Sequence, residues 1–231
     1  MIGGYLPLDG TIEFYGRINF ILKPTDVVLD LGAGRGAWFT EERCSTRRQI
    51  RELKPKVRRL IGVDVDPAVL SNPSTNENYL VEDGKIPLPS NSVDVIIADY
   101  VLEHVLEVNN FAEEIDRVLR PGGFFCARTP HRFQYVSIVA RFVRNTHHSS
   151  VLRFAQRTRK KEDIFPTAYR LNTIKGISAA FPRYDNYSYL YASEPFYYFE
   201  SKLIYALFCW FHRILPKIFV SNLFAFLRKP N

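Results

Sequence analysis

Runs of apolar residues recur along the chain with two different periods. TDVVLDLGAG, VRRLIGVDVDP, NENYLVEDG, SVDVIIADY and GFFCARTP carry short apolar blocks bounded by polar or turn residues, which predicts five strands. GAWFTEERCSTRRQIRELKP and FAEEIDRVLRPGG space their apolar residues three and four apart, predicting helices that stop at Pro55 and at Pro-Gly-Gly. The fourth strand runs on into a helical VLEHV. Strand and helix alternate, the order of a mainly parallel sheet covered by helices on both faces.

After Pro130 the rhythm changes. HRFQYVSIVARFVRN has helical apolar spacing, residues 146–169 are polar and basic, and LNTIKGISAAFP predicts another helix. YDNYSYLYASE alternates as a strand does, and SNLFAFLRKP reads as a last strand preceded by a strongly apolar helical stretch. These expectations describe one α/β domain over residues 1–231: an N-terminal cap (1–24), a core (25–130), a lid (131–180) and terminal strands with an apolar helical insertion (181–231).

The composition, 46% hydrophobic and 14% aromatic, supplies a full core, and no segment is repeated or low in complexity. Cys44, Cys126 and Cys209 are far apart and suggest neither a disulfide framework nor a zinc site, so a cytoplasmic protein without metal is expected. The start of the chain lacks the basic and apolar regions of a signal peptide. The net charge of +7 is uneven: residues 128–161 hold nine Lys/Arg and no acid. That run is either a solvated face or a contact for an anionic partner; no nucleic-acid motif accompanies it.

The first strand ends in LDLGAGRG, where Gly32, Gly34 and Gly36 keep side chains away from something close to the backbone. A phosphate is the usual occupant of such a turn, but Asp30 stands two residues before Gly32 and asks for a cation instead. In a doubly wound sheet, ligands gather at the carboxyl ends of the strands. Gly32 to Gly36, Asp64, Asp83 with Gly84, Asp99 with Tyr100, and Thr129 to His131 all fall there.

LDLGAGRGAW, LIGVDVDP, VEDGKIPLPSNSVDVIIADYVLEHV and EIDRVLRPGGFFCARTP, in this order, resemble the successive motifs of class I S-adenosylmethionine-dependent methyltransferases. The resemblance implies a Rossmann-like, doubly wound, mainly parallel seven-stranded sheet with an antiparallel last strand and a helical lid after the fifth strand. It implies S-adenosylmethionine as the cofactor. Asp30, Gly32, Ala33 and Gly34 would meet its amino-acid end, Asp64 its ribose hydroxyls, Asp83 and Gly84 its adenine, with Asp99 also on the cofactor side. Asp66 reads as a helix cap before Pro67, Arg35 is undecided between ligand and solvent, and Tyr100 between cofactor and core. Asp30 and Asp64 lie 34 positions apart, a surplus expected to lengthen the first helix and its return loop.

For a hydroxyl acceptor the enzyme needs a base, and His131 in TPHRF is the first candidate, His104 in LEHV the second. His147 and His148 read as loop, while Asp163, Tyr169 and Arg170 are candidates for closing over the acceptor. Beyond residue 130 the chain resembles methyltransferases of bacterial surface-polysaccharide biosynthesis. That implies a saccharide or glycoconjugate acceptor, lipid-linked or anionic in some variants. The alternatives are a small-molecule or quinone-like lipid acceptor, or a non-catalytic cofactor-binding module at the membrane. Residues 196–220 hold an apolar run too short to span a bilayer; it reads as a helix packed on the sheet, as an interfacial helix at the inner membrane surface, or as a protein-protein contact.

Overall fold

The computed structural model describes residues 5, 8–134, 167–193 and 202–231. Its centre is a sheet in the order β3-β2-β1-β4-β5-β8-β6, with β7 also paired to β8. β1 (Val27–Leu31), β2 (Arg59–Asp64), β3 (Glu77–Leu80), β4 (Val93–Asp99) and β5 (Leu119–Pro130) are parallel. β8 (Ser221–Arg228) runs antiparallel to β5. The chain therefore has the doubly wound, mainly parallel fold with an antiparallel last strand that its sequence predicts.

The strand count differs by one. The Tyr-rich strand is broken into β6 (Asp185–Asn186) and β7 (Tyr189–Ala192), because Asn186 turns its side chain back to accept from the Ser188 amide at 2.9 Å. Both pieces pair with β8, so seven expected strands become eight without a change of topology. The first long helix is also divided, into α2 (Ala37–Glu41) and α3 (Ser45–Arg51). Glu42 leaves helical geometry and its carboxylate takes the Cys44 amide at 2.8 Å, a local bond that competes with helix continuation. The surplus length before β2 is thus a broken helix rather than a longer one.

Two apolar layers sandwich the sheet. On one side α4 (Val108–Val118) and α5 (Ile174–Ala180) cover Leu29, Ile96, Phe125 and Leu223. α4 buries Ala112, Ile115 and Val118 along one stripe, and Phe125 meets Phe181 at 5.4 Å between ring centroids. On the other side α1 (Gly10–Ile21) lays Phe14, Tyr15 and Ile18 on Val28, Ile97, Cys126 and Phe224. Phe14 is fully buried, and a Phe→Ala change at such a position costs about 3–5 kcal/mol.

α1 is also fastened at its start. Asp9 caps it by accepting from the Thr11 and Ile12 amides, each at 3.0 Å, and its second oxygen takes Arg47 Nε at 2.6 Å. The N-terminal helix is thereby held over the carboxyl ends of the central strands. α6 (Lys202–Ile214) and α7 (Lys217–Val220) lead directly into β8. The predicted helix at 135–145, the basic residues 135–161, His147, His148 and Asp163 lie outside the described residues.

Candidate active site

The register of β1 against β2 sets Asp30 beside Gly62 and Leu31 beside Val63. The chain then turns sharply, with Gly32, Gly34 and Gly36 all at positive φ (76°, 51° and 68°). The Gly32 and Ala33 amides donate to the Val63 carbonyl at 2.8 and 3.2 Å, tying the turn to β2. Asp64 completes the tie: its Oδ2 accepts the Gly34 amide at 2.8 Å and its Oδ1 the Asp66 amide at 2.9 Å. Asp66 caps the 3-10 turn at Pro67–Ser71 by accepting from the Ala68 amide, as its position before Pro67 suggests.

Behind this loop stands Asn72, whose importance the sequence alone did not reveal. Its buried amide nitrogen donates to the carbonyls of Ala33 and Gly34, both at 3.0 Å. A Cβ on Gly36 would collide with that amide. Ser74 in turn holds Asn72 Oδ1 at 2.7 Å, so a polar stretch that reads as plain loop is a brace for the glycine turn.

Asp30 lies among acids at the end of β1. Burial pushes its pKa up to about 7; Arg51 opposes the rise, while Asp99 and Asp64 add to it. Asp99, register partner of Arg128 across β4 and β5, has a different fate. Arg128 Nε and Nη2 each donate to one of its oxygens at 2.7 Å, and Tyr15 Oη adds a bond at 3.2 Å. Burial works to raise the Asp99 pKa, but the charge and hydrogen bonds of Arg128 overcome it and hold the carboxylate below its usual range. Arg128, a member of the basic run, is therefore an interior residue. Its guanidinium is stacked between Phe14 (5.3 Å) and Tyr100 (4.7 Å) and reaches Thr11 Oγ1 at 3.1 Å.

Tyr100 is a bulky residue in left-handed backbone, at φ 61°. Its amide donates to the Arg128 carbonyl at 2.8 Å and its hydroxyl accepts from Asn222 Nδ2 at 3.2 Å, which fixes its ring against Arg128 at the ends of β5 and β8. Arg51 lies over the rings of Tyr15 and Trp38 at 5.2 and 4.7 Å, with Asp99 3.8 Å away. Arg35 pairs with Glu41 at 2.9 Å near the surface.

Asp83 and Gly84 form a tight exposed turn after β3, both at positive φ. His104 closes the 3-10 turn Leu102–His104 after β4 and is half-buried. His131 is buried just past β5. Its amide donates to the Ser221 carbonyl at 3.3 Å, and Nδ1 lies 3.1 Å from the Ile218 carbonyl. The latter, the shorter of two backbone contacts at Nδ1, assigns the proton there and leaves the lone pair on Nε2. Burial lowers the His131 pKa, against the hydrogen bond to Ile218. Tyr169 and Arg170 attach to the turn carrying His104: the Tyr169 amide donates to the Glu103 carbonyl at 3.1 Å and Arg170 to the Leu106 carbonyl at 2.6 Å.

Residues 29–127 match the family model described as a methyltransferase domain. Over those residues the chain resembles the class I methyltransferase superfamily. It is a superfamily of enzymes whose cofactor is S-adenosylmethionine. The chain is 33% identical over 140 residues to a probable S-adenosylmethionine-dependent methyltransferase of Mycolicibacterium smegmatis, a match covering 56% of this chain and 54% of that one. It is 31% identical over 102 residues to the demethylmenaquinone methyltransferase of Tropheryma whipplei, covering 42% of this chain and 38% of the other. The chain thus spans about half or less of the curated relatives it matches. A chain from the complex between the Haloferax volcanii Trm112 methyltransferase activator and a methyltransferase shares the fold, with a TM-score of 0.61 at 17% identity over 96% of this chain and 90% of that chain.

The residues at the ends of β1 and β2 would suit such a cofactor. Asp30 is a partly buried acid whose pKa is raised by desolvation and by the neighbouring Asp99 and Asp64, a setting that a ligand's ammonium group would relieve. The Gly32, Ala33 and Gly34 amides are taken up by the Val63 carbonyl and Asp64, so the glycine turn would offer a ligand close approach to the backbone rather than free amide donors. Bound there, S-adenosylmethionine supplies an activated methyl group. Among the described residues no group of three or more His, Cys, Asp or Glu is arranged to hold a metal ion. A cavity of about 440 Å³ on the outer side of α1, lined by Arg17, Phe20 and Tyr189 among others, contains none of the candidate cofactor or catalytic residues.

Proposed function

We propose that this protein transfers a methyl group from S-adenosylmethionine to a hydroxyl of a saccharide or related glycoconjugate. The observation that carries the transfer reading is the fastening of the Gly32–Gly36 turn to Asp64 beside the cation-seeking Asp30. In this reading Asp30 meets the cofactor ammonium, Asp64 the ribose hydroxyls, and the Asp83-Gly84 turn the adenine. Methyl transfer is an in-line displacement, so alignment and removal of the acceptor proton are what the chain must provide. His131 is the proposed base, through Nε2, with His104 second.

The sequence resemblance beyond residue 130 supports a saccharide or glycoconjugate as the acceptor. A quinone-like lipid is the second reading, favoured by the demethylmenaquinone methyltransferase among the relatives. We place the reaction in the cytoplasm, where the three free thiols would persist.

The test is a cofactor titration followed by transfer of isotopically labelled methyl from S-adenosylmethionine to a panel of saccharides, lipid-linked saccharides and quinols. Binding with label appearing in saccharides supports the reading; label only in quinols replaces the acceptor. Absence of cofactor binding by the folded protein overturns the reading altogether.

A further inference from the structure

α6 presents a stripe of apolar residues to the outside. Leu203, Leu207, Trp210 and Ile214 are 81%, 59%, 56% and 57% exposed, and Phe211 at the edge of the stripe is exposed as well. Their spacing of four, three and four residues keeps them within one narrow sector of the helix. His212, nine positions after Leu203 and so half a turn away, faces inward: it is buried, with Nδ1 3.1 Å from the Ser193 carbonyl at the end of β7. The helix is thus held by the side that carries His212 and turns the stripe of Leu203, Leu207, Trp210 and Ile214 outward. Ile218 and Phe219 on α7 extend the exposed apolar surface.

Charge identifies the occupant. Residues 202–220, which make up α6 and α7, contain Lys202, Arg213 and Lys217 and no Asp or Glu. Lys217 is exposed next to the apolar stripe. A second copy docked symmetrically on this face would set cation against cation, with no acid from this segment to relieve them. An anionic bilayer surface supplies both partners, acyl chains for the stripe and headgroup phosphates for the cations. Trp210 suits the boundary between them. No described helix is long and apolar enough to cross a membrane, and α6 is 13 residues, about 20 Å, in length.

We propose that α6 and α7 form a peripheral docking face for anionic lipid. α7 also supplies the Ile218 carbonyl that holds His131 Nδ1, which places the docking face next to the proposed acceptor end of the site. The proposal does not depend on the acceptor's identity, because lipid binding is read without turnover.

The experiment is flotation of the full chain with vesicles of phosphatidylcholine alone or with 30% phosphatidylglycerol, at low and high salt, alongside light scattering and thermal melts. Wild type is expected to float with the anionic vesicles at low salt, several-fold less at high salt, and poorly with neutral ones. Leu207→Glu with Trp210→Glu should abolish flotation with an unchanged melting temperature and intact cofactor binding; Lys217→Glu should reduce it. The proposal is overturned if wild type stays at the bottom of the anionic gradient. A double variant that melts several degrees lower would mean that the chain itself covers the stripe. A wild-type dimer that the double variant converts to monomer would mean that a second copy does.

Discussion

Arg128 holds both carboxylate oxygens of Asp99 at 2.7 Å, and neither residue is more than slightly exposed. A buried pair of this kind contributes little over an apolar pair of the same shape, but it is costly to break from one side. Arg128→Leu should therefore destabilise the protein by about 3–5 kcal/mol, a fall on the order of 10 °C in melting temperature. Asp99→Asn, which keeps a polar partner, should cost less than Asp99→Leu. Equal melting temperatures for wild type and Arg128→Leu would show that the pair holds nothing in place.

Asp30 should make cofactor binding pH-dependent. Its folded pKa of about 7 lies above the ordinary aspartate value, so the folded state holds a proton between roughly pH 4 and 7 that the unfolded chain has lost. Stability of the free protein then falls as pH rises through that window. An ammonium group beside Asp30 requires the ionised form, so cofactor affinity should fall by about tenfold per unit below pH 7 and level off above it. Calorimetry in buffers of different ionisation enthalpy should register the released proton, and Asp30→Asn should lose both the proton release and the slope. A flat affinity profile in wild type refutes the assignment.

Gly36 and Gly84 both have positive φ, but they differ in surroundings. A Cβ at Gly84 meets nothing within 4 Å, whereas one at Gly36 runs into the Asn72 amide that carries the Ala33 and Gly34 carbonyls. Each Gly→Ala change should cost about 1–2 kcal/mol for the left-handed backbone. Gly36→Ala should in addition displace the turn and weaken cofactor binding at least tenfold, with Gly84→Ala the milder control. Matching affinities for the two variants would exclude the brace.

How far the sequence anticipates this molecule depends on the range of the interaction. The turn at Gly32–Gly36 and the cap at Asp66 are legible because a local backbone need dictates the residue type. The break at Glu42 and the gap at Tyr187 are less so, since each rests on one side chain capturing a neighbouring amide. The Asp99–Arg128 pair joins residues 29 apart and becomes visible only once β4 and β5 are in register. Asn72 carries no motif at all, and the exposure of the α6 stripe cannot be read from an apolar periodicity that a buried helix would share.

The last prediction concerns the proposed base. The Ile218 carbonyl fixes the proton of His131 on Nδ1, so Nε2 is poised to accept, and burial keeps the imidazole neutral to a lower pH than an ordinary histidine. His131→Ala should reduce turnover by roughly two to four orders of magnitude while leaving cofactor affinity within about twofold, because the lost interaction belongs to the transition state. The acid limb of the wild-type rate profile should fall below the ordinary histidine value of about 6.5. His131→Gln, which lacks a proton acceptor of comparable basicity, should be as slow as His131→Ala. Should His104→Ala show the loss instead, with His131→Ala near wild type, the base lies on the 3-10 turn after β4 and His131 is a structural link between β5 and α7. Should both variants turn over normally, alignment of acceptor and cofactor accounts for the rate without a histidine base.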